Sequence, residues 1–211
     1  MAAPDTARLL ALAFDPDVRT SEDAVSGQVL DAALALAAAS GLRNLTMDDV
    51  ARRAGVGRMT VYRRFGSKAA LVDALAVREC RRCLSIISQA LDPQAGFLDR
   101  SVTLFITVLR VIREHPLLAR LARVEPEALL SELTKDGSAI FLMVREFLVG
   151  LVAEGQRRGE LLPGDPAVLA EMGLRLGLSF VLMPDSVLPL EDERASRAAV
   201  RELLEPLLPR P

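Results

Sequence analysis

Tryptophan is absent from this chain of 211 residues, tyrosine and histidine occur once each, and cysteine occurs twice. Two cysteines cannot form the disulfide framework of a small secreted protein. A single histidine leaves no paired histidines for a catalytic centre or a zinc site, and there is no Gly-rich phosphate loop. The sequence therefore indicates a protein that is not an enzyme and that has no catalytic residues, metal site or cofactor.

Long hydrophobic runs are also missing. Charged residues interrupt each apolar stretch before it reaches the length of about 18 residues that a membrane-spanning helix needs. The first residues lack the basic start and the uninterrupted apolar run of an export signal. We therefore expect a cytoplasmic protein that does not enter a membrane.

The alternation of polar and apolar residues that is typical of strands is hard to find, whereas Gly, Pro and polar clusters separate long Ala- and Leu-rich stretches. With 51% hydrophobic residues, the chain can bury a large core. The sequence thus predicts an all-α fold. The predicted helices span about 24–40, 46–54, 57–65, 67–90, 95–114, 116–124, 126–133, 138–158, 166–183 and 191–207.

The stretch 46–68 has the outline of two short helices joined by a tight turn. Thr46 can cap the first helix by accepting a hydrogen bond from a free amide of the first turn. Gly55 and Gly57 can adopt the backbone conformations that end this helix and begin the next, and Ser67 can cap a third. We therefore predict a helix-turn-helix.

The second helix of this pair has one apolar face, on which Val61 and Phe65 should pack inward. Its other residues are long, cationic or hydroxylated, and such side chains suit the groove of a DNA duplex. From 43 to 82 there are ten basic and four acidic residues, although the whole chain has a net charge of −2. This concentration of positive charge favours DNA binding over the alternative of a solvated basic hairpin that binds nothing.

Several motifs occur together in the run VLDAALALAAASGLRNLTMDDVARRAGVGRMTVYRRFGSKAALVDAL. They are a first helix ending in Gly, a Thr at the start of the second helix, an Ala-Gly-Val turn, a Tyr-x-x-Phe helix and a Ser-Lys pair. In these respects residues 29–77 resemble the DNA-binding domain of the TetR family of bacterial transcriptional regulators. Gly57 and Gly66 depart from the pattern, since that family usually has Ser, Thr or Ala at the first position and often Pro at the second. The candidate DNA-contacting residues are Thr46, Gly57, Arg58, Met59, Thr60, Tyr62, Arg63, Arg64 and Lys68.

The prolines and the polar run of residues 1–23 predict a flexible arm, and the resemblance implies a DNA-binding domain at 24–78 and a helical domain for effector binding and dimerisation at 79–211. It implies a regulator that binds double-stranded DNA as a homodimer. The expected function is that of a repressor released from a palindromic operator by a hydrophobic small-molecule effector. Two alternatives stay open: a DNA-binding regulator without an effector, controlled by abundance or by a protein partner, and a helical enzyme or adaptor with an incidental hairpin.

Residues of the second domain can be assigned only through this resemblance. The family's usual dimer contact uses the last two long helices, which fall here on 138–158 and 166–183. Gly173 and Gly177 in the second of these helices could let a partner helix approach closely, although glycines also permit packing within one chain. The candidate ligand-binding residues are all apolar, which favours a hydrophobic ligand: Phe97, Phe105, Val108, Phe141, Val144 and Phe147.

Three further features each have a structural and a functional interpretation. Cys80 and Cys83 form a Cys-x-x-Cys pair that is better explained as small apolar helix positions than as a thiol sensor or a metal site. His115, the only histidine, could hydrogen-bond a ligand or act as a pH-sensitive group. Its other interpretation is a cap on a helix-end carbonyl. The arm at 1–23 either packs or is disordered, or reaches a DNA groove or phosphates.

Overall fold

The computed structural model describes residues 23–134, 138–183, 185–189 and 192–208, and these residues form an all-helical fold. The helices are α1 (Ala24–Ser40), α2 (Met47–Ala54), α3 (Arg58–Phe65), α4 (Lys68–Ala90), α5 (Phe97–Glu114), α6 (Pro116–Val124), α7 (Pro126–Thr134), α8 (Ala139–Arg157), α9 (Pro166–Leu182) and α10 (Glu193–Leu204), followed by a 3₁₀ turn at Glu205–Leu207. The predicted fold class is confirmed. The predicted arm, apart from Asp23, lies outside the described residues.

The helix boundaries follow from capping residues. Asp23, Asp165 and Asp192 each accept a hydrogen bond from a backbone amide in the first turn of the helix that they precede. Most predicted boundaries lie within two residues of the observed ones. The last helix is shorter at its end than predicted, because the chain tightens into the 3₁₀ turn around Pro206, which has no amide hydrogen for an α-helical bond.

The helices divide into two compact units whose sequences interleave. Unit 1 consists of the described residues up to Arg82 together with His115–Ile140, and unit 2 consists of Cys83–Glu114 together with the described residues from Phe141 onward. Helices α6 and α7 therefore belong with α1–α3, although α5 separates them from these helices in sequence. A domain boundary near residue 78 stays a prediction.

The core of unit 1 joins α1, α2, α3, the first half of α4 and α6. Its buried side chains include Val29, Ala33, Val50, Val61, Leu71, Leu75, Leu117 and Leu121. Each lies on the apolar stripe of its helix, so burial of these stripes orients the short helices α2 and α3, which are too short to be stable alone.

In unit 2, α5 packs against α9 and α10. One cluster of buried residues contains Phe97, Val152, Leu161 and Ala170. Phe105 meets Phe180 edge to face, with ring centroids 5.0 Å apart. Within the described parts of the chain, no helix is long and apolar enough to span a membrane.

Candidate nucleic-acid interface

The α2–α3 turn has the predicted caps. Thr46 accepts a hydrogen bond from the amide of Asp49 at 3.1 Å, and its hydroxyl donates to the Asp49 carboxylate at 2.6 Å. Gly55 ends α2 with a φ of 67°, a left-handed conformation that glycine adopts without strain. Gly57 precedes α3 without a side-chain cap. Local sequence thus determines both ends of the helix pair, as predicted.

Helix α3 is anchored by its apolar face. Val61 is fully buried, and Phe65 and Tyr62 are half-buried against the same core. On the other side Met59 is 77% exposed. Arg63 is exposed as well, and Thr60 is half-buried. Val61 and Phe65 therefore pack inward as predicted, whereas Tyr62, which was predicted to point outward, also packs against the core.

Arg58 is exposed but held in place. Its Nε atom lies 2.9 Å from Oδ1 of Asp48 in an ion pair, and its side chain is 62% exposed. The guanidinium carbon also lies 5.3 Å from the ring centroid of Tyr62, one turn further along α3. These contacts place the guanidinium at the exposed face of α3, between Asp48 and the ring of Tyr62.

Arg64, which the sequence grouped with the outward-facing residues, is tied to α1 instead. Its guanidinium forms an ion pair with Asp23 and donates to the Ser26 hydroxyl at 3.0 Å, so its side chain is only 26% exposed. The backbone N–H of Ser26 and then the guanidinium of Arg64 lower the pKa of Asp23. The sequence did not predict this contact of Arg64, because Asp23 belongs to the cap of α1 and no pattern within α3 indicates that its carboxylate lies nearby.

The positive charge of the segment 43–82 is partly neutralised within the fold. Lys68 donates to the carbonyl oxygen of Arg43 at 2.7 Å, which ties the start of α4 to the loop before α2. Within the part of the chain that the structure describes, six of the ten basic residues in the segment form ion pairs, namely Arg43, Arg52, Arg58, Arg64, Arg78 and Arg82. Three of the acidic partners, Glu127, Asp23 and Asp31, lie outside the segment, so the local positive charge is smaller than the net charge of the segment alone indicates.

A buried ionic cluster joins α4, α1 and the start of α6, and sequence reasoning missed it. Glu79 is 4% exposed, and its carboxylate contacts Nε of Arg78 at 2.8 Å and Nε2 of His115 at 3.1 Å. Arg78 also pairs with Asp31 of α1 at 2.9 Å. The available signal was periodicity, because positions 78 and 79 continue the stripe of Leu71 and Leu75 at helical spacing.

His115 has a different helix-end role from the one predicted. It precedes α6, and its Nδ1 accepts a hydrogen bond from the amide of Leu118 at 3.2 Å, so it caps an amide and not a carbonyl. Burial would raise the pKa of Glu79, but the hydrogen bond with His115 and the charges of Arg78 and Arg82 outweigh it and lower the pKa.

The candidate ligand-binding residues occupy different environments in unit 2. Phe97 and Phe105 are buried, whereas Val108, Phe141, Val144 and Phe147 are half-buried. A partly open cavity of about 270 Å³ is lined by Gly96, Phe97, Leu98, Asp99, Glu160, Leu161 and Leu208, and so it includes one of the six. Cys80 and Cys83 are half-buried on α4, and no group of three metal-binding side chains occurs in the described parts of the chain.

Helices α8 and α9 carry glycines with open space beside them. A Cβ atom added at Gly150, Gly173 or Gly177 would meet no other atom within 4 Å. On α9, Val168 is 60% and Met172 58% exposed. These small and apolar residues lie on helix surfaces that the described residues leave uncovered.

Known proteins resemble this chain in sequence and in fold. Residues 29–75 match the family described as bacterial regulatory proteins, tetR family. The HTH-type transcriptional regulator AlkX of Mycobacterium tuberculosis is 29% identical over 171 residues, which cover 80% of each chain. AqdR of Rhodococcus erythropolis, also an HTH-type transcriptional regulator, is 28% identical over 64% of this chain and 62% of its own.

Solved structures support the fold. Salmonella enterica GusR has a TM-score of 0.66 at 20% identity, over 87% of this chain and 95% of its own. FadR of Bacillus halodurans, a fatty acid degradation regulator, has a TM-score of 0.63 at 21% identity, over 84% of this chain and 93% of its own. At such identities the likeness establishes the fold alone.

Proposed function

Because this chain belongs to the TetR family of helix-turn-helix transcriptional regulators, which bind DNA through that motif, we propose that it is a homodimeric repressor that a hydrophobic small molecule releases from a palindromic operator. The proposal of DNA binding rests on one observation, that α3 has one face buried in the core and one face exposed. Val61 fixes the helix in the core, while Arg58, Met59 and Arg63 are exposed. A short helix held in this way can enter the major groove.

The proposed DNA contacts divide into two groups. Arg58, Met59, Thr60, Tyr62 and Arg63 lie on α3, where they can reach base edges and nearby phosphates. Thr46, Gly57 and Lys68 lie at helix starts, where backbone amides and a cation suit phosphate oxygens. Arg64 belongs to the proposed set with a smaller role, since Asp23 and Ser26 already engage it.

The homodimer follows from the small size of one recognition helix. A single α3 contacts only a few base pairs, whereas two copies related by a two-fold axis read two half-sites about one or more helical turns apart. We place the dimer contact on α8 and α9. The support is the open space at Gly150, Gly173 and Gly177 and the exposure of Val168 and Met172.

The effector is proposed to bind in unit 2 near Phe97, Phe105, Val108, Phe141, Val144 and Phe147. Half-buried apolar side chains on α5 and α8 support a hydrophobic ligand. Release requires that the ligand bind a state of the protein that fits the operator poorly, with a coupling of about 1–3 kcal/mol.

One observation favours regulation without an effector as a second candidate. Phe97 packs so closely that a Cβ atom at Gly155 would lie 2.6 Å from its ring, and Phe105 already contacts Phe180. In this candidate the same side chains are core residues, and repression depends on the amount of the protein or on a protein partner.

The proposed function is tested in two stages. Selection of bound genomic fragments should enrich a site with two inverted half-sites, and the site should repress a reporter gene in the presence of the protein. Hydrophobic metabolites are then screened by thermal shift, and each hit is titrated with and without operator DNA. An effector must bind more weakly in the presence of operator, by the same factor by which it weakens operator binding. Equal affinity in both titrations for every hit would favour the second candidate.

A further inference from the structure

We propose that Asp48 determines sequence specificity by holding Arg58 in position to read a guanine base. The inference rests on the DNA-binding function proposed above and adds a residue outside the candidate DNA contacts. An acidic side chain on a DNA-facing surface repels phosphate, so Asp48 does not serve general affinity. Its contact with Arg58 gives it a different role.

The ion pair uses a particular edge of the Arg58 guanidinium. Oδ1 of Asp48 lies 2.9 Å from Nε, and the side chain is 62% exposed. A guanine base presents two acceptors, N7 and O6, on its major-groove edge, and arginine binds both at once. With Asp48 beside Nε, the terminal pair of nitrogens is the pair that would meet the base.

Tyr62 supports the same arrangement from a second side. Its ring lies 5.3 Å from the guanidinium carbon of Arg58, and it packs half-buried against the core of unit 1. The ring is therefore a fixed surface beneath the guanidinium. A guanidinium that is already restrained loses less conformational freedom on binding, and a planar fork restrained in one orientation discriminates better among bases.

The neighbouring acid, Asp49, provides the contrast. Its carboxylate accepts from the Thr46 hydroxyl and pairs with Arg52, and its amide donates to Thr46. Asp49 is thus occupied with the cap of α2. Asp48 makes its ion pair with Arg58 across the turn, so the two adjacent carboxylates have separable roles.

The test compares full-length parent and Asp48→Asn protein in selections from a duplex library with randomised half-sites. The parent should enrich guanine at one position of each half-site. Asp48→Asn should lose this preference while preferences at other positions persist, and its affinity for sites without the guanine should be equal or higher. Arg58→Ala should lose the preference at the same position. Asp49→Asn is the matched control and should keep it.

A chemical substitution in the DNA tests the base contact directly. Replacing the selected guanine by 7-deazaguanine removes the N7 acceptor. A bidentate contact to guanine is worth about 5- to 150-fold in affinity. For the parent, loss of the N7 acceptor should weaken binding by up to this factor. For Asp48→Asn the two duplexes should bind with similar affinity. Thermal unfolding of the free variant should match that of the parent, which shows that the fold is intact.

The outcomes separate this inference from the proposed function. If Asp48→Asn keeps the full guanine preference, Asp48 does not position Arg58 and the inference is wrong, while DNA binding stands. If Arg58→Ala weakens all sites evenly and lowers the salt dependence, Arg58 binds a phosphate and the inference is also wrong. If the parent enriches no sequence at all, the proposed function itself fails.

Discussion

The two units of this protein differ in where their charged and apolar side chains lie. In unit 1, charged residues hold helices together: Glu79, Arg78, Asp31 and His115 form a cluster that joins three helices. In unit 2, α9 leaves glycines and apolar side chains on its surface, with Met172 58% exposed. We infer that unit 1 is stabilised by contacts within the chain and presents charge to DNA, whereas unit 2 presents a surface suited to another protein surface.

The comparison is tested most strongly at Gly177 of α9. Gly177→Arg places a long charged side chain where close helix approach is proposed, so the variant should be monomeric by light scattering. Loss of the second half-site contact should weaken operator binding by about 100- to 10,000-fold. Thermal unfolding of the monomer, measured at several protein concentrations, reports the loss of dimer stabilisation separately.

Gly164→Arg is the matched control, because it adds the same side chain at a loop glycine that also has open space around its Cβ position. This variant should stay dimeric and bind the operator like the parent. If Gly177→Arg is also dimeric and binds as well, the assignment of the interface to α9 is wrong.

The ionic cluster of unit 1 predicts a loss of stability when Glu79 is neutralised. Glu79→Gln leaves the buried positive charge of Arg78 without its closest acid, and removing one partner from a buried pair costs about 3–5 kcal/mol. The amide of Gln can still hydrogen-bond, so we expect the lower end of this range. Denaturant unfolding near neutral pH measures the difference. Glu202→Gln, on the exposed surface of α10, is the control and should unfold like the parent.

The same cluster predicts a direction of pH dependence. The fold lowers the pKa of Glu79, so the charged carboxylate stabilises the folded state above its unfolded pKa of about 4.5. This contribution is lost as the pH falls through the lower folded value. The stability difference between parent and Glu79→Gln should therefore shrink below about pH 4. A difference that stays constant between pH 7 and pH 3 would contradict the predicted role of the charge.

Two glycines distinguish backbone strain from simple crowding in the two units. Gly41 has a φ of 88°, and a Cβ atom there would overlap the carboxylate of Glu125. Gly155 has no such φ, but a Cβ atom would lie 2.6 Å from the Phe97 ring. Backbone strain and overpacking each cost about 1–3 kcal/mol. Gly41→Ala introduces both strain and overpacking, whereas Gly155→Ala introduces overpacking alone, so Gly41→Ala should destabilise the protein more. Hydrogen exchange should locate the first loss in unit 1 and the second in unit 2.

Local sequence predicted the parts of this protein whose causes are local. The caps at Thr46 and Gly55 and the buried face of Val61 follow from residues within one or two turns, and the structure confirms them. The ties from Arg64 to Asp23 and from His115 to Glu79 join residues about 40 positions apart in sequence, which no periodic pattern records. The pocket residues depend on packing in three dimensions, and their role stays a prediction.

The smallest expected effect distinguishes two adjacent arginines of α3. Arg63 is exposed and makes no ion pair within the described parts of the chain, whereas Arg64 is tied to Asp23 and Ser26. Arg63→Ala should leave thermal unfolding unchanged and lower the salt slope of operator binding by about one unit, as expected for the loss of one phosphate contact. Arg64→Ala should reduce stability only slightly, because solvent screens its partly exposed ion pair with Asp23, and it should change the salt slope less than Arg63→Ala does. Equal slopes for the two variants would mean that Arg64 exchanges its partners on α1 for a phosphate when the protein binds DNA.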